Sequence, residues 1–247
     1  MKFLCILQAR MNSSRLPGKV MEKINGKPML EWQIRRIQKS QLSEIVIATT
    51  TNSMDTSIVE LAKSLGIEVV RGSESDVYSR FREVLRRFKS DNFVRVTADC
   101  PLFMPELLNA MVSNYNSGNY DYFSNTLKPT FPDGLDIEII RTEAFNSLSN
   151  FELSYSEREH VTLAFHNKPH VYRLRNYEQE INLSKERWTV DYKEDLDFIK
   201  SIFRNFQGME TEFNYKDVLE FLINNPNVRN QRGQEFRNIS LKVSEEI

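Results

Sequence analysis

Charge of one sign is missing from this chain: 33 Lys plus Arg stand against 34 Asp plus Glu, a formal net charge of −1 over 247 residues. Such balance offers no polyelectrolyte attraction, so neither nucleic acid nor an anionic membrane surface is expected as a partner. Cysteine is almost absent. Cys5 and Cys100 are the only two, which excludes a disulfide framework and a cysteine-based zinc site. Long apolar runs are lacking too. The first, Phe3 to Leu7, is interrupted by Gln8 and Arg10, well short of the roughly 20 residues of a spanning helix or the full apolar core of a secretory leader. A cytoplasmic location is the expectation. Glycine is scarce, at 8 residues, where an average chain of this length carries about twice as many. Glycine-dependent phosphate loops can therefore be checked one by one, and neither G-x-x-x-x-G-K-[ST] nor G-x-G-x-x-G occurs, which removes the main support for a Walker-type ATPase or a dinucleotide oxidoreductase.

What is present can build a core, since 40% of residues are hydrophobic, and the length suits one large domain with a small appendage. Strand-length apolar runs alternate with helix-period segments through the first half. Strands are expected at Lys2 to Leu7, Glu44 to Thr49, Glu68 to Val70 and Phe93 to Thr97. Helices are expected at Pro28 to Lys39, Met54 to Leu65, Asp76 to Phe88 and Pro105 to Asn116. Repeated β-α units imply an open, mostly parallel α/β sheet with helices on both faces. The residues just after Leu7, Thr49, Val70 and Thr97 should then converge on one crevice at the strand C-termini.

After Asp121 the texture changes. Strands are expected at Tyr120 to Ser124, Leu135 to Ile140, Val171 to Arg175 and Arg187 to Val190. Helices are expected at Thr142 to Ser149, Tyr155 to His166, Glu194 to Phe206 and Tyr215 to Asn224. One domain over residues 1–225 follows, with a nucleotide-binding half (1–120) and a half holding the acceptor pocket and any dimer contacts (121–190). Residues 226–247 read as an extended tail.

The loop after the first strand, Gln8 to Lys19, carries Arg10, Arg15 and Lys19 with Ser13 and Ser14 between them. Guanidinium forks and an ammonium suit phosphate oxygens, and a nucleoside triphosphate brings about four negative charges. A solvated basic loop would show the same composition; its place after strand one favours the anion cradle. Asp99 ends a hydrophobic strand at the same sheet edge, where a carboxylate needs a partner or a metal. Magnesium takes one or two carboxylates together with substrate phosphates, and Asp191, after RWTV, is the candidate second ligand. Helix capping competes with both assignments. Asp133, Asp136 and Glu138 lie around a Pro-Asp-Gly turn and could meet sugar hydroxyls or a metal, against the plainer reading of a turn followed by the polar side of an edge strand. Arg158 and His160 in SEREH could meet an acceptor, or form an i, i+4 surface cluster.

The stretches LQARMNSSRLPGKVMEKINGKPML, VRVTADCPLFMPELL, FPDGLDIEI, SEREHVT and RWTVDYKEDLDFI resemble the cytidylyltransferase-like family of spore-coat polysaccharide biosynthesis protein F. More remotely the chain is similar to the CMP-Kdo and CMP-sialic acid synthetases. The resemblance implies a GT-A-like three-layer α/β/α fold and an enzyme that joins CTP to an acidic sugar with release of pyrophosphate, using Mg2+ and acting as a homodimer. Matched by position, Arg10, Ser14, Arg15 and Lys19 would hold the triphosphate, with the backbone of Leu7, Gln8 and Ala9 beside the base and Arg71 and Ser73 selecting the pyrimidine. Asp99 and Asp191 would hold the metal, Arg10, Lys19 and Asp99 being the catalytic set. Asp133, Asp136, Glu138, Glu157, Arg158 and His160 would face the acceptor. Two rivals remain open at this point: a glycosyltransferase consuming a nucleotide sugar, whose usual Asp-x-Asp is replaced here by Ala98-Asp99-Cys100, and a non-catalytic nucleotide-binding protein.

Overall fold

The computed structural model describes residues 2–42 and 44–231. The first strand, β1 (Phe3–Gln8), lies inside a seven-stranded sheet. Its Leu4 to Leu7 run is fully buried, as a strand covered on both faces must be. A small hairpin, β2 (Lys23–Ile24) with β3 (Lys27–Pro28), leads into α1 (Met29–Ile37); β4 (Ile45–Thr50), α2 (Thr56–Ser64), β5 (Glu68–Gly72), α3 (Val77–Arg87), β6 (Asn92–Thr97) and α4 (Pro105–Asn116) follow in alternation. The second half contributes β7 (Tyr122–Ser124), β8 (Glu138–Arg141), α5 (Thr142–Ser147), α6 (Tyr155–Glu159), α7 (Leu163–His166), β9 (Leu174–Asn176), α8 (Lys193–Asn205), α9 (Tyr215–Asn224) and α10 (Pro226–Arg229).

Strand order is β5-β4-β1-β6-β8-β7-β9. The β5-β4-β1-β6 block is parallel throughout; β8 runs antiparallel to both neighbours, β6 and β7, and β9 is parallel to β7. The mostly parallel α/β sheet expected from the alternation is thus present. One face packs against α1, α2, α4, α8 and α9 around Leu30, Ile34, Leu108 and Ile199. The other packs against α3, α5 and α7 around Phe81, Phe93, Phe145 and Phe165. Among the described residues, no helix is long and apolar enough to cross a membrane.

Four departures from the periodicity reading have physical causes. The expected helix Tyr155 to His166 is broken into α6 and α7 at Val161, a buried valine with φ 43°, where tertiary packing holds a left-handed β-branched residue that local propensity disfavours. Arg187 to Val190 is no ladder strand: its β-pairing is a single isolated bridge, Asp133 to Arg187. The second strand of the second half, β8, begins at Glu138 rather than Leu135, because residues 132–137 are used in turning past Trp188. Gly134 makes that turn possible: its φ is 104°, and an added Cβ would lie 2.6 Å from Thr189 N. Finally, the segment read as an extended tail starts with a helical turn, α10, whose Arg229 pairs with Glu186; residues 232–247 lie outside the described residues.

Candidate active site

The crevice off the strand C-termini holds a cavity of about 390 Å³ lined by residues from both halves, among them Arg15, Asp99, Asp133, Glu138, His160 and Asp191. The loop after β1, which lends Arg15 to the cavity, is braced by Gly18 N–H to the Met11 carbonyl at 2.8 Å and by Met11 N–H to the Asp55 carboxylate (Oδ1) at 2.7 Å. Gly18 sits at φ 78°, a conformation that costs a glycine little. Asp55 also accepts from the Thr49 and Thr50 hydroxyls, which fixes the loop to the end of β4.

Lys19 is thereby turned inward. Its Nζ donates to Val190 O at 2.6 Å, Asp191 Oδ1 at 2.9 Å and Asp99 Oδ2 at 3.3 Å. Burial alone would lower the ammonium's pKa, but Asp99 and then Asp191 outweigh it and hold the group above the ordinary lysine value. Asp99, whose charge burial disfavours, is brought down to about 2 chiefly by Lys19, with help from the Thr97 and Cys100 side chains. Neither acid is a helix cap. Met104 precedes α4 and Tyr192 precedes α8, so the capping alternatives are excluded. Asp191 is brought to Asp99 by backbone stitching: Val190 N–H donates to Asp99 O at 2.8 Å, and Trp188 N–H donates to Asp133 O at 2.6 Å.

Arg187 is the residue that sequence reasoning passed over. Its guanidinium joins Asp133 (3.1 Å), Asp191 (2.9 Å) and Asp195 (3.2 Å) with a side chain only 7% exposed. Asp195 and Asp191 hold it charged against burial. Its spacings to Asp191 and Asp195, four and eight residues, were a usable signal; its pairing with Asp133 was not visible. Arg15 adds a second cation on Asp191 Oδ1, at 2.9 Å, and lies 5.3 Å over the Tyr192 ring.

The other end of the cavity is polar where the sheet face would otherwise be apolar. Arg95, on β6, pairs with Glu138 across the strand ladder and also reaches Gln8 Oε1. Glu138 accepts from Tyr122 OH at 2.6 Å, and Tyr122 in turn meets His166 Nε2 at 3.2 Å. Burial works against the Glu138 charge, yet Arg95 and Tyr122 keep it below the usual carboxylate range. His160 is lowered by burial against an opposing pull from Glu159. Arg95, Tyr122 and His166 had no role assigned from the sequence, because an alternating strand position shows which face a residue takes but not where the apolar cover over that face ends.

Arg15, Asp99, Asp133, Asp136, Glu138, His160 and Asp191 therefore come together in one cavity, with Lys19 beneath them. Others fall elsewhere. Leu7 and Ala9 bury their side chains in the core while Gln8 turns to Arg95. Arg10 is not among the cavity-lining residues; its side chain is 41% exposed and 4.0 Å from Glu74. Ser14 is exposed. Arg71 bonds the carbonyls of Thr50 and Asn52, and Ser73 Oγ accepts from Asp76 N–H, so both are tied into the loops at the β4 and β5 ends. Glu157 and Arg158, expected at the acceptor, do not line the cavity: Glu157 closes a capping box with Ser154 and pairs with Lys168, and Arg158 pairs with Asp76.

An open α/β sheet that gathers cations and two carboxylates over a cavity at its strand C-termini has the layout of a nucleotide-binding enzyme. A family model described as cytidylyltransferase matches residues 4–221, and the chain belongs to that family, as a CTP-dependent nucleotidyltransferase. It is 30% identical over 239 residues to the spore coat polysaccharide biosynthesis protein SpsF of Bacillus subtilis, covering 93% of this chain and 97% of that one. It is 36% identical over 119 residues to the 3-deoxy-manno-octulosonate cytidylyltransferase of Marinobacter nauticus, 46% of this chain and 44% of the other. The solved structure of a cytidylyltransferase from Leptospira borgpetersenii superposes with a TM-score of 0.89 at 32% identity, over 96% of this chain and all of that one. The family membership sets aside the glycosyltransferase and the silent nucleotide binder.

Proposed function

We propose that the chain transfers CMP from CTP to the hydroxyl of an acidic sugar of the 2-keto-3-deoxy or nonulosonic type, on a GT-A-like fold, to make an activated sugar for surface polysaccharide. The observation that carries this reading is the meeting of Asp99 and Asp191 on one cation beside Arg15, at the sheet edge where a triphosphate can reach all of them. In the transfer the acceptor hydroxyl oxygen forms a bond to the α-phosphorus and gives up its proton to water, as the bond from that phosphorus to the bridging oxygen breaks and pyrophosphate leaves with the electron pair. Lys19, Arg15 and, from the loop's outer side, Arg10 and Ser14 would position the phosphates and neutralise their charge, which is most of what a phosphoryl-transfer protein does.

The acid pair fits magnesium. Two carboxylates converge where an ammonium now sits, the number that suits an ion taking its remaining ligands from phosphate and water. Magnesium held by Asp99 and Asp191 would supply charge neutralisation at the triphosphate.

The acceptor end is supported by Asp133, Asp136, Glu138 and His160 for hydroxyls and by Arg95 and Arg187 as the cations nearest a carboxylate. Pairing of two copies through the half after residue 121 belongs to the same proposal. The test is pyrophosphate release from CTP and magnesium with a panel of octulosonic and nonulosonic acids, with ATP and UTP as controls and mass spectrometry of the product. Release with CTP and one acid, giving the CMP ester, is the expected result; no release with any acid removes the acceptor assignment.

A further inference from the structure

The two carboxylates that would hold a divalent ion already have an occupant. Lys19 Nζ touches Asp99 Oδ2, Asp191 Oδ1 and Val190 O, and its side chain is 8% exposed. Magnesium demands oxygen at about 2.0–2.1 Å. An ammonium at hydrogen-bond distance from both carboxylates and a divalent ion bound to them would then be close enough to repel strongly in a partly dehydrated site. Each cation at these oxygens therefore weakens the binding of the other.

The two acids are also tied to the fold by contacts other than Lys19. The backbone bond from Val190 N–H to Asp99 O links their chain segments. Arg187 grips the second oxygen of Asp191, Oδ2, leaving Oδ1 to the exchangeable partners Lys19 and Arg15. Lys19 itself sits on a three-residue turn, Lys19–Met21, behind the Gly18 bend, on a four-carbon stem that can carry the charge elsewhere.

We propose that Lys19 is a tethered stand-in for the metal: its ammonium closes the Asp99–Asp191 pair to free divalent cations and vacates it only when a triphosphate offers the ammonium another partner. The proposal rests on the transfer reading only in taking these two acids as the cation ligands. It makes metal and nucleotide binding mutually reinforcing, and by linkage equally so in both directions. The site then loads the metal with its nucleotide rather than ahead of it.

Mn2+ binding followed by electron paramagnetic resonance tests this without turnover. In the absence of nucleotide, Lys19→Met should bind Mn2+ at least tenfold more tightly than the wild type. The non-reactive analogue α,β-methylene CTP should bring the wild type to within about threefold of the variant's affinity. Apo wild type that binds Mn2+ as tightly as Lys19→Met overturns the proposal. A second arm keeps Lys19 and so stands even if that variant does not fold: Asp99→Asn should leave Mn2+ binding to the apo protein unchanged within twofold. A tight apo site that Asp99→Asn abolishes overturns the proposal equally. An enzyme that releases no pyrophosphate with any sugar acid would sink the acceptor assignment while leaving both Mn2+ results to be read on their own.

Discussion

The parallel block β5-β4-β1-β6 and the remainder, β8-β7-β9 with its loops, share one sheet but are built on different logic. In the parallel block successive strands are joined through helices, and although β6 pairs with β1 rather than with β5, burial along each strand and helix stripe lets the apolar period specify the element. In the second half the functional contacts close long loops: Arg187 meets Asp133 across 54 residues, and Lys19 meets Asp191 across 172. The first region supplies a platform; the second supplies what is brought to it. Charge follows the same division. The loop over the parallel block contributes cations, Arg15 and Lys19, whereas Asp133, Asp191 and Asp195 come from the second half and are organised by one guanidinium.

The largest effect should come from the platform's own carboxylate. Asp99→Ala should lower pyrophosphate release from CTP by about a thousandfold or more while the protein stays folded, its stability falling only by the roughly 2 kcal/mol that the ionised carboxylate contributes, since Lys19 retains Asp191. A fully active mutant would break the assignment of Asp99. Next is the organiser of the second half. Arg187→Ala leaves three carboxylates without their shared cation, and the urea midpoint should drop by an amount equivalent to about 3–5 kcal/mol; a variant that unfolds with the wild type would show that the clustered acids find water instead.

Acid sharpens the comparison further. Asp99 at about 2, and Glu138 and Asp55 below the ordinary carboxylate range, bind protons more weakly folded than unfolded. Their contribution is therefore complete above the unfolded value near pH 4 and is lost as pH falls through the folded values. Stability to urea should decline from about pH 4 toward pH 2, Asp99 accounting for on the order of 2 kcal/mol, and Asp99→Asn should flatten that decline. The smallest effect belongs to the outer helix of the second half: Ser154→Ala removes the α6 cap and should cost about 1 kcal/mol in chemical denaturation, with transfer activity unchanged because the capping box lies outside the cavity.

How much of this was legible follows the same boundary. Elements α1 to α4 and β1, β4, β5 and β6 lie within a few residues of their periodicity reading, because burial on both faces or along one stripe leaves a strong local pattern. The break at Val161 was invisible, since YSEREHVTLAFH carries an unbroken helical period and only the buried pocket under Val161 overrides it. The cationic loop and Asp99 were found by their places at strand ends, a topological inference. Arg95 and Arg187 were missed because an arginine's partner is named by three-dimensional neighbours, not by the arginine.

The order of residues alone determined the α/β class, the sheet edge at which ligands gather and the family, because periodicity, strand-end position and motif spacing are all written along one dimension. Only the tertiary structure decided that Lys19 holds Asp99 and Asp191 together, that Arg187 binds three acids, and that Glu157 and Arg158 stand outside the cavity. Those outcomes depend on which loops close over which strand ends, and closure is set by the packing energy of the whole chain rather than by any local pattern.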